Sequence, residues 1–151
     1  MTTCCLFMLA SLLTGTLSNS AEPPDQLILY SVDGRDDAGK PGKDVELFHN
    51  YPVLGKIEIK EAAKRDEILA ALKSGIDKSD GTVAKCFWPR HGIRVVEKGK
   101  TTDYVICFEC LQLKKHQEKD VKTIPITREP QAVLNKILRE ANIPLAPGIK
   151  E

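Results

Sequence analysis

Neither sign of charge is in excess in this sequence. Its 151 residues include 22 Lys and Arg residues against 21 Asp and Glu residues, for a formal net charge of +1. Such a chain lacks the strong field of one sign that draws proteins to nucleic acids and to anionic membranes. We therefore expect no nucleic-acid partner, and expect the chain to bind an unidentified protein or a small ligand.

The sequence also lacks an apolar run long enough to cross a bilayer. Residues 4–17 carry no charge, but a transmembrane helix needs about 20 apolar residues. A run of this length, followed by small polar residues and then Pro23 and Pro24, is typical of a signal peptide. We predict a signal peptide over residues 1–21, export to the periplasm or the extracellular space, and no stable membrane span after cleavage. The alternative is a cytosolic protein with an apolar start.

Composition and length leave room for one folded domain over residues 22–151. The apolar fraction of 42% and the charged fraction of 28% are those of an ordinary globular protein. No internal repeat divides the chain. A domain of this size buries enough apolar surface to fold without disulfide bonds.

Periodicity predicts an α+β fold. Alternating apolar residues indicate strands, and apolar stripes at helical spacing indicate helices. The order of these segments predicts an antiparallel or mixed sheet of about four to six strands with two helices packed on it. The predicted segments are strands at 26–32, 53–60 and 121–126, a hairpin over 82–114 that turns at Lys98-Gly99, and helices at 61–77 and 129–141.

The polar, Gly-rich stretch over residues 33–50 predicts a solvated loop. Its acidic residues lack the ligand spacing of an EF-hand, so calcium is not indicated. Loops this long inside a compact domain are often functional. An interaction or inhibitor domain that binds through this loop is therefore one further possibility.

Three cysteines remain after the predicted signal peptide, and they lie near one histidine. Cys86 begins the segment CFWPRH, which also holds Arg90 and His91, and Cys107 and Cys110 form a Cys-x-x-Cys pair. A two-residue turn in the hairpin places both segments at the same end of it. In a regular strand the two cysteines of the pair would face opposite sides, so both can join one site only if a turn or bulge separates them.

Three interpretations of this cluster stay open. Cys86, His91, Cys107 and Cys110 supply four sulfur and nitrogen ligands, as in a closed structural zinc site. Alternatively, a disulfide joins Cys107 to Cys110 or Cys86 to Cys110, as export to an oxidising compartment favours. In the third interpretation the cysteines are small buried apolar residues. Arg90 is a candidate contact for an anion or a partner.

The run CFWPRHGIRV, followed by a hairpin and by DYVICFECLQL, resembles a group of small uncharacterised bacterial exported proteins. That group shares a Cys-Phe-x-Pro-Arg-His segment followed by a Cys-Phe-x-Cys strand. The resemblance covers the central and C-terminal parts of the chain. It implies that the Cys, Arg and His residues form one unit, and it implies no activity or substrate.

No recognised catalytic motif accompanies this unit, so the sequence leans away from an enzyme. The leading hypothesis is an exported binding module whose Cys/His hairpin is a metal or partner site. The alternative is a thiol/disulfide redox protein that uses Cys107 and Cys110. Reactive Cys-x-x-Cys thiols usually lie at a helix N-terminus, whereas this pair is predicted within a strand.

Overall fold

The computed structural model describes residues 24–35 and 42–148. The predicted signal peptide over residues 1–21 lies outside the described residues. The elements are β1 Gln26–Val32, β2 Leu47–Phe48, β3 Tyr51–Glu58, α1 Ala62–Asp77, β4 His91–Glu97, β5 Lys100–Cys107, β6 Gln112–Gln117, β7 Asp120–Pro125 and α2 Glu129–Glu140.

The strands form one curled, antiparallel sheet in the order β2-β3-β1-β4-β5-β6-β7. The predicted α+β class and its two helices are confirmed, but the predicted four to six strands are wrong, because the described sheet has seven. One extra strand is β2, which lies inside the stretch predicted as a loop. Another arises because the β-forming run over residues 102–113 is divided by a turn at residues 108–111 into β5 and β6.

The β4–β5 hairpin has the predicted register. Glu97 lies opposite Lys100 and His91 lies opposite Ile106, so the turn consists of Lys98 and Gly99. Both turn residues have positive φ, 50° and 74°, which is the backbone that a two-residue hairpin turn requires. This register fixes which side chains share a face of the sheet.

The main core lies between the sheet and the two helices. Alternate residues of the strands meet the apolar stripes of α1 and α2, because successive strand side chains point to opposite faces. Ile68 and Leu72 of α1 and Leu134 and Leu138 of α2 are buried as their periodicity predicts. The other buried members of this cluster are Leu27, Leu29, Ile59, Ile93, Val95, Ile106, Phe108, Leu113, Ile126 and Ile137.

A second, smaller cluster covers the opposite face, which we call the open face of the sheet. Tyr30, Val32, Phe48 and Val105 are its buried residues. Phe48 belongs to β2 and is 3% exposed, so the prediction of a wholly solvated loop over residues 33–50 is wrong at this point. The Phe48 ring stacks on the Tyr30 ring, with 4.3 Å between the ring centroids.

A bulge changes the side chain pattern of β3. The sequence predicts Val53 and Ile57 on the same face, but Val53 packs on the open face while Ile57 packs in the main core. The pairing shifts between Ser31 and Val32, so that Val32 lies opposite Val53 while Ser31 lies opposite Gly55. One extra residue in β3 reverses the alternation beyond it.

Helix α2 ends shortly before a residue with a left-handed backbone. Asn142 takes a left-handed φ of 56°, and the Ile143 amide donates a hydrogen bond to the carbonyl of Leu138 at 2.9 Å. This hydrogen bond satisfies a carbonyl that the helix leaves free and directs Ile143 back onto the core. Within residues 24–35 and 42–148, no helix is long and apolar enough to cross a membrane.

Candidate functional site

The Cys-x-x-Cys pair lies in the turn between β5 and β6. Cys107 is the last residue of β5, and the turn returns the chain through Leu111, whose φ is 52°. The amide of Leu111 donates to the carbonyl of Phe108 at 3.3 Å. Because the strand has ended, the alternation that would separate the two cysteines no longer applies. Cys107 and Cys110 are disulfide-bonded, with 5.3 Å between their Cα atoms.

Hydrogen bonds hold Cys86 against this turn. The amide of Ala84 donates to the carbonyl of Cys110 at 2.9 Å. The side chain amide of Gln112 donates to the carbonyls of Ala84 and Cys86 at 2.9 and 2.7 Å. The segment before β4 is therefore fastened to the start of β6, and the Cys86 Sγ lies 2.8 Å from the Cys110 Sγ.

The three sulfur atoms differ in exposure and in bonding. Cys107 and Cys110 are fully buried, whereas Cys86 is a half-buried free thiol. The amide of Cys110 donates to the Sγ of Cys107 at 3.2 Å. The site therefore has one half-buried thiol and one buried disulfide, and a donor at that position would stabilise a thiolate released at Cys107.

His91 does not join the sulfur cluster. It lies opposite Ile106 on the face that meets the helices, whereas Cys107 is the next residue along β5 and points to the open face. The His91 Nε2 is 2.8 Å from the Oδ1 of Asn135 on α2. Burial lowers the pKa of His91 to about 4 despite this hydrogen bond. The imidazole is therefore neutral at physiological pH.

Arg90 is buried at the border of the site. Its guanidinium lies 3.6 Å from the carboxylate of Glu109, between the two cysteines of the pair. It also donates to the carbonyl of Pro147. The side chain is 9% exposed. Arg90 thus connects the Cys-x-x-Cys turn to the segment after α2, and its predicted contact with an anion or a partner stays a prediction.

The predicted metal ligands are brought together in part. The structure gathers Cys86, Cys107 and Cys110 but places His91 on the other face. Among residues 24–35 and 42–148, no group of three or more His, Cys, Asp or Glu side chains is arranged to hold a metal ion. The zinc site stays a prediction.

A polar cluster on the open face contains two histidines, His49 and His116, for which no local sequence pattern indicates a partner. The His49 Nε2 lies 2.7 Å from the Oδ2 of Asp103, and the rings of His49 and His116 stack with 3.8 Å between centroids. Arg94 donates to both carboxylate oxygens of Asp103 at 2.8 and 2.7 Å. Strand pairing places Arg94 of β4 and His116 of β6 beside Asp103 of β5. The hairpin register, which the sequence predicts, could have indicated the pair of Arg94 and Asp103.

Burial and neighbouring groups shift the pKa values of Asp103 and His116 in this cluster. Burial raises the pKa of Asp103, but the hydrogen bonds from Arg94 and His49 outweigh that effect, and the pKa lies below its ordinary value. Burial and the neighbouring His49 lower the pKa of His116. Asp103 is therefore an ionised carboxylate whose oxygens accept hydrogen bonds from Arg94 and His49. The bond from His49 connects the β2–β3 hairpin to β5.

Comparison with known proteins adds no relative to this description. The chain matches no protein-family model, no curated protein and no solved structure.

Proposed function

We propose that the chain is an exported thiol/disulfide redox protein whose working unit is the cluster of Cys86, Cys107 and Cys110. The single observation that carries this proposal is the 2.8 Å contact between the Sγ atoms of Cys86 and Cys110. A thiol this close to a disulfide is within reach for exchange. The metal-site hypothesis is less well supported, because His91 lies on the other face of the sheet.

The exchange is balanced without any external oxidant. The thiolate of Cys86 attacks the Sγ of Cys110, a bond forms between them, and the bond between Cys107 and Cys110 breaks. Cys107 leaves as a thiolate and takes the proton that Cys86 has lost. The hydrogen bond from the Cys110 amide stabilises the Cys107 thiolate, which favours it as the leaving group.

The two disulfide isomers differ in what they join. With Cys107 bonded to Cys110, the disulfide closes only the turn between β5 and β6, and the half-buried Cys86 carries the free thiol. With Cys86 bonded to Cys110, the segment before β4 is joined covalently to that turn, and the free thiol is buried. The isomer present therefore decides whether a thiol faces a partner.

Disulfide mapping by mass spectrometry tests the proposal. The full chain is incubated in a glutathione redox buffer, quenched with acid and N-ethylmaleimide, and mapped peptide by peptide. We expect alkylation of Cys86 and a disulfide between Cys107 and Cys110. In Cys107→Ser we expect a disulfide between Cys86 and Cys110, and the matched control Cys86→Ser should keep the pair at 107 and 110.

Two results would overturn the redox proposal. One is failure of Cys107→Ser to form the disulfide between Cys86 and Cys110. The other is stoichiometric zinc in protein purified without an affinity tag, with all three thiols reduced, which would favour a metal site. Because Cys107 and Cys110 are fully buried, we expect no turnover in an insulin-reduction assay, and turnover would instead indicate a redox enzyme.

A further inference from the structure

A cleft of about 500 Å³ lies on the helix side of the sheet, at the end of the β4–β5 hairpin remote from the cysteines. Residues of β4, β5 and β6 line it together with Leu69 of α1. This volume is within the range of about 300–1,000 Å³ that small-molecule sites occupy. The cleft is therefore large enough for a small organic ligand.

The charge around this cleft is mainly positive. Lys98, Lys100 and Lys115 line it, and Glu97 is the single acidic residue that does. Within the part of the chain that the structure describes, none of the three lysines forms an ion pair. Smaller clefts of about 260 and 170 Å³ are lined by acids and bases in near-equal number, and the second of them adjoins the large cleft at Lys115 and Gln117. Among the residues that line it, the larger cleft thus has two more positive charges than negative ones.

Part of the cleft lining is apolar. Leu69, Val95 and Tyr104 contribute its apolar surface, and Leu69 and Tyr104 also pack against the main core. The half-buried Tyr104 ring packs against the core and lines the cleft, where it can stack on a flat group. Lysine ammonium groups bind phosphate and carboxylate as point charges.

We propose that this cleft binds a small organic anion with a flat apolar body, which rests on Tyr104 while its anionic group contacts Lys100 and Lys115. The residues between Lys100 and Cys107 span ~23 Å of extended strand. The cleft is consequently separate from the cysteine cluster, and its occupancy does not depend on the proposed redox function.

Titration of three probes into the full chain, followed by amide NMR shifts, tests the proposal. Phenyl phosphate supplies both the ring and the charge, inorganic phosphate the charge alone, and benzyl alcohol the ring alone. We expect phenyl phosphate to shift amides of residues 95–104 and 115–117 saturably. Each of the other probes should bind about ten-fold more weakly, since it loses one of the two contacts. Added salt should weaken the binding of phenyl phosphate.

Substitutions assign the contacts. Lys100→Gln and Lys115→Gln should each weaken the binding of phenyl phosphate about three-fold, which is within the usual contribution of one exposed ion pair. The matched control is Lys119→Gln, an exposed lysine in the β6–β7 turn outside the cleft, which should change nothing. Tyr104→Leu keeps the apolar volume but removes the ring, and should reduce the preference for phenyl phosphate over inorganic phosphate.

Three outcomes would overturn this inference. They are the absence of saturable shifts at the cleft, an equal affinity for phenyl phosphate and inorganic phosphate, and an equal loss of affinity in Lys119→Gln and Lys100→Gln. The last would show that overall charge, and not this cleft, attracts the anion. None of these results bears on the disulfide mapping, so the two proposals stand or fall separately.

Discussion

The His49 imidazole lies 2.7 Å from the carboxylate of Asp103, and this contact fastens the β2–β3 hairpin to the centre of the sheet. His49 is a turn residue with a φ of 49°, and the partner on β5 is 54 residues away in sequence. The same carboxylate receives two hydrogen bonds from Arg94. One buried acid therefore holds a turn and a neighbouring strand in place.

Removing the charge of Asp103 should destabilise the protein. In Asp103→Asn, the side chain keeps one acceptor oxygen, but the other becomes an NH2 donor facing Arg94 or His49. The guanidinium also loses its counter-charge, and an unpaired charge beside the core is costly. Because the Arg94 side chain is 38% exposed, water compensates in part, and we expect a loss of about 2 kcal/mol in the free energy of unfolding. Urea denaturation measures it. Asp120→Asn at the exposed start of β7 is the control and should change stability by less than about 0.5 kcal/mol.

A side chain at Gly92 would collide with the ring of Phe48. A Cβ atom there would lie 2.6 and 2.7 Å from two carbons of that ring, which is already stacked on Tyr30. We expect Gly92→Ala to cost about 2 kcal/mol, as overpacking does. In the matched control Gly42→Ala, the added carbon meets only Val45 at 3.7 Å. Equal thermal stability of the two variants would show that Phe48 does not rest on Gly92 in solution.

Much of this fold is visible in local sequence. Gly99 marks the β4–β5 turn, and a two-residue turn determines every pair of the hairpin, including His91 with Ile106. The helical spacing of apolar residues predicted the positions of both helices. Ile68 and Leu72 lie on one side of α1, and Leu134 and Leu138 lie on one side of α2. These features were predictable because each depends on neighbouring residues alone.

The turn at residues 108–111, which holds Cys110, could not be predicted from local sequence. The run TDYVICFECLQL holds β-forming residues and neither Gly nor Asn, yet Leu111 takes a positive φ in it. Tertiary contacts favour that conformation, including the hydrogen bond from the Ile126 amide to the carbonyl of Leu111 at 3.0 Å. Sequence placed the sulfurs at one end of the hairpin, but it could not show that a turn brings Cys110 to Cys86.

Acid should destabilise the protein through His91. The pKa of His91 in the folded protein is about 4, chiefly because the side chain is buried, whereas an unfolded histidine titrates near 6.5. Below pH 6.5 the unfolded chain therefore takes up a proton that the folded protein excludes. The free energy of unfolding is therefore undiminished by this group above pH 6.5, and it declines as the pH falls from 6.5 towards 4.

Urea denaturation at pH 7 and at pH 5 measures this effect. We expect the free energy of unfolding to fall by about 2 kcal/mol between them from this group alone. His91→Gln keeps a polar side chain near Asn135 but does not titrate, so its dependence on pH should be smaller by that amount. Other groups, such as His116, contribute equally to both proteins. An identical pH dependence in the two would show that His91 is protonated while the protein is folded.

The end of α2 should depend on the backbone conformation of Asn142 more than on its side chain. A left-handed φ of 56° is strained for alanine, tolerated by asparagine and unstrained for glycine. We expect Asn142→Ala to cost about 1 kcal/mol, and Asn142→Gly to leave stability within about 0.5 kcal/mol of the original. The two variants are matched, because each removes the same amide group. If they unfold at the same urea concentration, the hydrogen bond from the Ile143 amide to Leu138 does not hold residue 142 in this conformation.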